Sequence, residues 1–300
     1  MNTVSAFYFD TVVTITADAS EALLREALSR CSHFNKLLSK TAEGSDVWEL
    51  NHAVGQWVEV SGHTAQVVQA ALEVGSASGG AFNIALAPLV ALWNVRSASP
   101  RVPGEGEIAL ALERADFTRI EACGRRIRMP AGMMIDLGGI AKGYIADQVA
   151  DWLRAAGVTS ALLNFGGNVV TVGRKPDGSA WKVGLQMPDG EASEFFAVVE
   201  SADSTVVTSG VYDRGFMLDG RRYHHILDPR TGRPVQNGIA GVSVVGTGSM
   251  LADAAATALL VLGREAGAGF AGRYCLETVY RMDGGSVSCS EGLPIAVVRR

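Results

Sequence analysis

The sequence predicts an α+β fold, on three observations. Strand-like and helix-like segments mix without strict alternation. Hairpin-like pairs of short strands crowd between residues 181 and 224. No predicted strand runs into the GxGxxG turn of a dinucleotide-binding βαβ unit, which argues against a doubly wound sheet. No clear linker divides the chain, so one domain over residues 1–300 is expected.

Residues 7–17 are rich in Val, Thr, Phe and Tyr and read as a strand. Asp18 with Glu21 resembles a capping box. Leu24, Leu28, Cys31 and Leu38 then keep helical spacing, so a helix should run to about residue 38. Residues 41–51 are polar and loop-like. A second helix fits 65–76, closed by Gly79-Gly80. Prolines and glycines make 96–106 a loop. A short apolar run, 133–137, reads as a strand entering Gly138-Gly139. The helix after it puts Ile145, Val149, Trp152 and Leu153 on one face and stops at Gly157. Strands are expected at 161–165, 181–186, 195–200, 205–208 and 238–246. A last strong helix, 250–262, ends at Gly263, and two strands fit the tail.

Composition narrows the function. A chain of 300 residues with 48% hydrophobic residues can bury a substantial core. A net charge of −5 without a basic block argues against nucleic acid as partner. The longest apolar stretch, 84–95, is broken by Pro88 and Asn94 and is too short to span a bilayer. No basic segment followed by an apolar one opens the chain, and no lipobox-like Cys lies near the start. A cytoplasmic protein is therefore expected, or a periplasmic one whose leader has been removed. Four scattered cysteines form no CxxC pair, which argues against zinc and a redox dithiol. The 35 glycines, about 12% against a usual ~7%, must serve turns or places where backbone approaches a ligand.

Four clusters could carry chemistry. Asp136-Leu137-Gly138-Gly139-Ile140-Ala141-Lys142-Gly143, followed by Asp147, sets two glycines and a lysine at a helix start. Backbone N–H groups, the helix dipole and Lys142 would suit a diphosphate there. A tight turn with a solvated lysine would read the same. His224-His225 precede the Asp228-Pro229 turn. Neighbours in an extended segment point to opposite faces, so only one can face a site easily and the other should be structural. Asp253 and Thr257, four apart on a helix, share a face and offer hard oxygen ligands suited to Mg²⁺. A dipole-favoured Asp and a back-bonded Thr are the plainer reading. Finally, Gly79 to Asn94 could embrace a planar ring or simply form core. Ser-His-Asp and Cys-His nucleophile signatures are absent, and no paired carboxylates suggest a glycosidase.

Taken together, the order of these motifs resembles the ApbE family, the FAD:protein FMN transferases. The matching segments are Asp136 to Gly143 with Asp147, Leu163-Asn164-Phe165-Gly166-Gly167-Asn168, Thr208-Ser209-Gly210, the run from Tyr223 through His225 to Pro234, and Asp253 to Thr257. They span residues 80–263, with a looser match from about residue 7. The resemblance implies an α+β, T-fold-like arrangement of mixed sheets with flanking helices and a ligand groove between two lobes. It implies FAD as substrate, Mg²⁺ as cofactor, and a target flavoprotein whose Thr or Ser accepts FMN while AMP leaves. Two alternatives follow from the same resemblance: an FAD pyrophosphatase, and a catalytically weakened flavin-binding protein.

Carried over by position, Asp253, Thr257 and the Gly139 carbonyl would hold the metal. Asp136 and Lys142 would contact FAD, with Lys142 near phosphate. His225 would serve the reacting phosphate or incoming hydroxyl. Thr208, Ser209 and Gly210 would line the flavin or phosphate path, and Ala81, Phe82 and Asn83 would contact the nucleotide. The chain departs from the family pattern at Phe9-Asp10-Thr11 (usually Met-Gly-Thr), at Thr41 (an aromatic in relatives), at Asn83, Ala85 and Ala87, and at Asn168. The metal and phosphate motifs are better kept than those expected to face adenine and flavin.

Overall fold

The structure, a computed structural model, describes residues 1–298 except 189, 192, 193 and 213. The chain opens with β1 (Asn2–Tyr8) and β2 (Thr11–Ala17), which pair antiparallel. The single strand expected over 7–17 is therefore two. Phe9 and Asp10 take φ of +54° and +58°, the reversal a two-residue hairpin turn needs, without a glycine to announce it. Helix α1 (Glu21–Leu38) is capped by Ser20, whose Oγ accepts from Leu23 N, rather than by Asp18. It buries Leu24, Ala27, Leu28, Cys31, Phe34 and Leu38. The polar segment after it also holds a helix, α2 (Asp46–His52), capped by Ser45 and anchored by buried Val47 and Leu50.

Strand β3 (Val58–Glu59) leads to α3 (Gly62–Ala77). A short 3₁₀ turn (Ile84–Leu86) feeds α4 (Ala87–Trp93). Helix α5 (Glu105–Leu112) starts inside the expected loop, where Glu107 accepts from Gly104 N. After β4 (Glu121–Cys123) and β5 (Arg126–Arg128), residues 133–137 form no strand, against expectation. Two hydrogen bonds to the Asn51 side chain hold this run extended instead, at 2.7 Å to Ile135 N and 3.0 Å to Ile135 O.

Helix α6 (Ala141–Ala155) follows, then β6 (Ala161–Phe165) and β7 (Asn168–Val172). Strand β7 was not anticipated. All five of its residues are buried, so it shows no alternation. Next come β8 (Trp181–Gln186), β9 (Phe195–Ser201), β10 (Thr205–Gly210), and the ribbon β11 (Gly215–Leu218) with β12 (Arg221–His224). A second ribbon is β13 (Leu227–Asp228) with β14 (Arg233–Pro234). Strand β15 (Ile239–Gly246) leads into α7 (Ser249–Leu262). Gly263, at φ +78°, ends α7 and opens α8 (Arg264–Arg273), a glycine-rich helix also unexpected from its low propensity. The tail holds three strands rather than two: β16 (Glu277–Met282), β17 (Val287–Cys289) and β18 (Ile295–Val297).

Eight strands form one sheet in the order β1-β2-β6-β7-β10-β15-β16-β17, every neighbouring pair antiparallel. Helices α1, α6 and α7 pack on it and share its main core, which takes in Val170, Val207 and Val244. The alternate residues Val169, Val206 and Val279 point to the other face, against Val183, Leu185 and Val199 of a small sheet ordered β18-β9-β8. A third cluster, around Leu89, Trp93, Ile108 and Leu227, forms a lesser lobe beside α4 and α5. The fold is thus α+β with flanking helices, as the sequence predicts.

Candidate active site

The site begins where α6 meets α7. Glycine at 143 is required there. A Cβ would overlap the Ser249 carbonyl oxygen and come within 2.8 Å of Met250 Cα. That closeness lets Gly143 N donate to Asp253 Oδ2 at 3.0 Å. Asp253 is only 4% exposed, among buried Ala252, Ala254, Ala255 and Ala256. Asp147 accepts from Ser249 N (2.9 Å) and Met250 N (2.8 Å), capping the start of α7. Burial pushes its carboxyl up to about 6, although both N–H groups pull the other way. Ser249 Oγ in turn donates to Asn168 Oδ1 at 2.5 Å, which gives Asn168 a structural role beneath the site.

The 136–142 loop lies above this contact. Asp136 N donates to Ile84 O at 2.8 Å, and Asp136 Oδ1 accepts from Gly138 N at 2.9 Å. Lys40 Nζ meets Asp136 Oδ2 at 2.5 Å. Lys142 Nζ donates to Gly138 O at 3.0 Å and stands 3.5 Å from Asp253 Oδ1. A Cβ at Gly139 would sit 3.2 Å from the Phe82 ring and 3.7 Å from Thr257 Oγ1. Glycine there brings the backbone close to Thr257, whose Oγ1 is 3.2 Å from Ser209 Oγ.

The two histidines divide as the alternation requires. His224 is buried and its Nε2 bonds Val235 O at 2.8 Å. His225 faces the cavity with Nδ1 3.4 Å from Arg214 O. Burial first, then the Arg214 charge, pushes the His225 imidazole down to about 4, so it is neutral near pH 7. Thr208 Oγ1 shares a 2.7 Å hydrogen bond with Ser243 Oγ.

One cavity of about 390 Å³ touches every residue to which the resemblance gives a ligand or metal role: Ala81, Phe82, Asn83, Asp136, Gly139, Lys142, Thr208, Ser209, Gly210, His225, Asp253 and Thr257. It lies between the main core and the lesser lobe, reached also by Leu86, Val90 and Leu227. Asn83 uses its side chain on backbone, capping Ala85 N (2.8 Å) and donating to Ala115 O (2.7 Å). Sequence reasoning missed Lys40, Arg96 and Arg214, and had Asp10 only as a departure from the family pattern; all four line the cavity. Thr41, by contrast, is exposed and bonds Ser39, while its neighbour Lys40 reaches in. The cavity wall carries Lys40, Lys142, Arg96 and Arg214 against Asp10, Asp136 and Asp253, so it offers cations to a diphosphate and carboxylate to a metal ion.

The ApbE family profile matches residues 9–279. The chain belongs to the ApbE family. It is 39% identical over 252 residues to a FAD:protein FMN transferase of Klebsiella pneumoniae, covering 82% of this chain and 78% of that one. It is 37% identical to the protein of that name from Treponema pallidum, over 81% and 72% of the two chains. Among solved structures, the ApbE protein of Thermotoga maritima superimposes with a TM-score of 0.87 at 29% identity, covering 97% of each chain. Pseudomonas stutzeri flavinyl transferase ApbE does so with 0.85 at 30% identity, over 97% and 94%. No helix among the described residues of this ApbE protein is long and apolar enough to cross a membrane.

The donor set also fits a hard divalent cation. Asp253 Oδ2 is engaged by Gly143 N, while Oδ1 has Lys142 only at 3.5 Å, beyond ordinary hydrogen-bond length. Thr257 Oγ1 lies one helical turn away and the Gly139 backbone passes beside it. Carboxylate, hydroxyl and carbonyl oxygen suit Mg²⁺ and not a thiophilic metal.

Proposed function

We propose that this protein is a Mg²⁺-dependent FAD:protein FMN transferase acting as a single ApbE-like unit. The observation that carries the reading is the meeting of the α6–α7 contact and the 136–142 loop at one cavity lined by both cations and carboxylates. Asp253, Thr257 and the Gly139 carbonyl would hold Mg²⁺, which would neutralise charge on the FAD diphosphate. Lys142 and Lys40 would hold the diphosphate by charge, and Phe82 would pack against the nucleotide. In the reaction, the acceptor hydroxyl oxygen bonds to the FMN phosphorus, the bridging P–O bond breaks, and AMP leaves with the bridging oxygen. His225 would receive the hydroxyl proton. With Nδ1 protonated towards the Arg214 carbonyl, Nε2 keeps its lone pair for that task. Burial, more than the Arg214 and Lys142 charges, depresses its basicity, and the negative diphosphate beside it would offset those charges.

Purified protein incubated with FAD and Mg²⁺ should release AMP. Chelation or Asp253→Ala should cut the rate more than about a hundredfold, beyond the loss typical of a mere supporting residue. FMN on an added acceptor identifies a transferase, and free FMN alone identifies a pyrophosphatase. Firm FAD binding without AMP release would overturn the enzymatic reading in favour of a flavin binder.

A further inference from the structure

A transferase must admit a second substrate while FAD fills the first cavity. A second cavity, of about 990 Å³, adjoins it. The two share Val95 as well as Asp10, Arg96, Lys142, Gly166, Thr208 and Arg214, so the wall that would face the diphosphate also faces the second space. Its far wall is made by four consecutive residues of β8, from Val183 to Gln186. Side chains in a strand alternate between faces. A run in which every residue lines the space therefore presents the strand's backbone edge. That edge is unpaired: β8 is the last strand of the β18-β9-β8 sheet, and no other described strand pairs with it. An edge strand offers a row of N–H and C=O groups to another extended chain.

Apolar side chains stand beside the opening. Phe195, opposite Gln186 where the β8–β9 register shifts, lines the cavity and is 40% exposed. Phe216 of β11 lines it too, and the next residues, Met217 and Leu218, are exposed at the hairpin tip. A small alcohol or water needs neither a strand edge nor such a rim. An extended polypeptide uses both.

Resting on the transferase reading above, we propose that the second cavity is the acceptor site, and that the target flavoprotein's Thr- or Ser-bearing segment docks there as an added strand on the free edge of β8. Main-chain hydrogen bonds to residues 183–186 hold the segment. The hydroxyl residue then lies over the shared wall at Thr208 and Lys142, with its oxygen directed at the FMN phosphorus. Any sequence able to extend can bind through its backbone, so selectivity falls to the side chains that meet Phe195 and Phe216.

The test uses the full chain with FAD, Mg²⁺ and a library of short synthetic peptides, each with one central Thr. FMN attachment is read by mass spectrometry, and AMP release without peptide is read in parallel. The best peptide is then compared with copies N-methylated at alternate backbone nitrogens on either side of the Thr. One N-methyl phase should lose flavinylation and the other retain it, because only alternate N–H groups face the edge. Phe195→Asp should raise the peptide KM by about tenfold, the loss of one aromatic anchor, with AMP release in water unchanged. Equal flavinylation of all N-methyl copies, or an unchanged KM in the variant, would overturn strand docking. So would AMP release with no peptide modified. Absence of AMP release under every condition would instead overturn the transferase reading itself, and the docking proposal with it.

Discussion

At the α6–α7 end of the cavity, polar site atoms are fixed by buried backbone; at the opposite rim they are held by exposed side chains on turns. Asp253 and Asp147 each accept from helix-start N–H groups inside an apolar surround. Asp10 instead meets Arg96 across loops in an exposed pair, and Lys40 meets Asp136 in a partly open one. The first arrangement tolerates few residue types, because the backbones touch. The second tolerates many. The 136–143 and 253–257 segments keep the family pattern, while the departures fall both on the rim, at Asp10 and Thr41, and in the core, at Ala85, Ala87 and Asn168.

The largest effect should come from Gly143→Ala. Its methyl group would strike the Ser249 carbonyl and Met250 Cα, both backbone, so neither can swing aside. Overpacking of this kind costs about 1–3 kcal/mol, and here it also parts Gly143 N from Asp253. Thermal unfolding should fall by several degrees and AMP release should be lost. Gly157→Ala makes the control, since a Cβ there meets nothing within 4 Å and the cost is only backbone strain at φ +86°. Equal behaviour of the two variants would erase the contrast between the regions.

A second test uses pH. Asp147 has a folded value near 6 against an ordinary 3.8. The folded state therefore binds more protons than the unfolded one between those values. That stability is full below about 3.8 and is lost as pH rises through 6. His225 runs the other way, at about 4 against 6.5. Its contribution is full above 6.5 and is lost as pH falls through 4. Each is worth about 3 kcal/mol, so the two oppose each other over one window. Asp147→Asn should leave a stability that climbs with pH from 4 to 6.5. His225→Asn should leave one that declines from 4 to 6. Urea midpoints measured across the window read both slopes, and parallel slopes in the two variants would refute the pairing.

Much of the buried region was legible in the sequence. The glycine pair and lysine of 138–142 and the Asp253–Thr257 spacing are local patterns, and the fold turns each into a local geometry. The histidine alternation likewise needed only the strand period, and His225 turned inward while His224 bonded Val235. What escaped is long-range. Lys40 acts through Asp136, 96 residues away, and Asn51 clamps Ile135 from 84 residues away. The signal for α2 was present in Ser45 as cap and in the Val47–Leu50 spacing, but one apolar pair amid polar residues is faint. Strand β7 escaped for the opposite reason, because burial on both faces erases the alternation that marks a strand.

At the solvated rim, Lys40→Ala should act on binding more than on folding. The Lys40–Asp136 pair stays partly open to solvent, at 38% and 28% exposure, so its loss should cost stability less than about 1 kcal/mol. The unpaired Asp136 carboxylate would then face the diphosphate. FAD should bind about fivefold more weakly, a loss near 1 kcal/mol, and the deficit should shrink with added salt. Unchanged affinity would remove Lys40 from the site.

Asp10→Gly tests the rim most finely. Asp10 pays a steric penalty at φ +58°, which glycine would relieve. Glycine also frees the unfolded chain and gives up the exposed 3.1 Å pair with Arg96. These terms oppose each other, so stability should stay within about 0.5 kcal/mol of the parent. Affinity need not cancel in the same way. Both residues line the cavity, and the carboxylate now neutralises a guanidinium that could meet phosphate. Removing it should tighten FAD binding by about two- to fivefold at low salt, the reverse of the usual effect of cutting an ion pair. Weaker binding would mean that Asp10 serves to position Arg96, and that the rim is as tightly specified as the helix contact it is compared with.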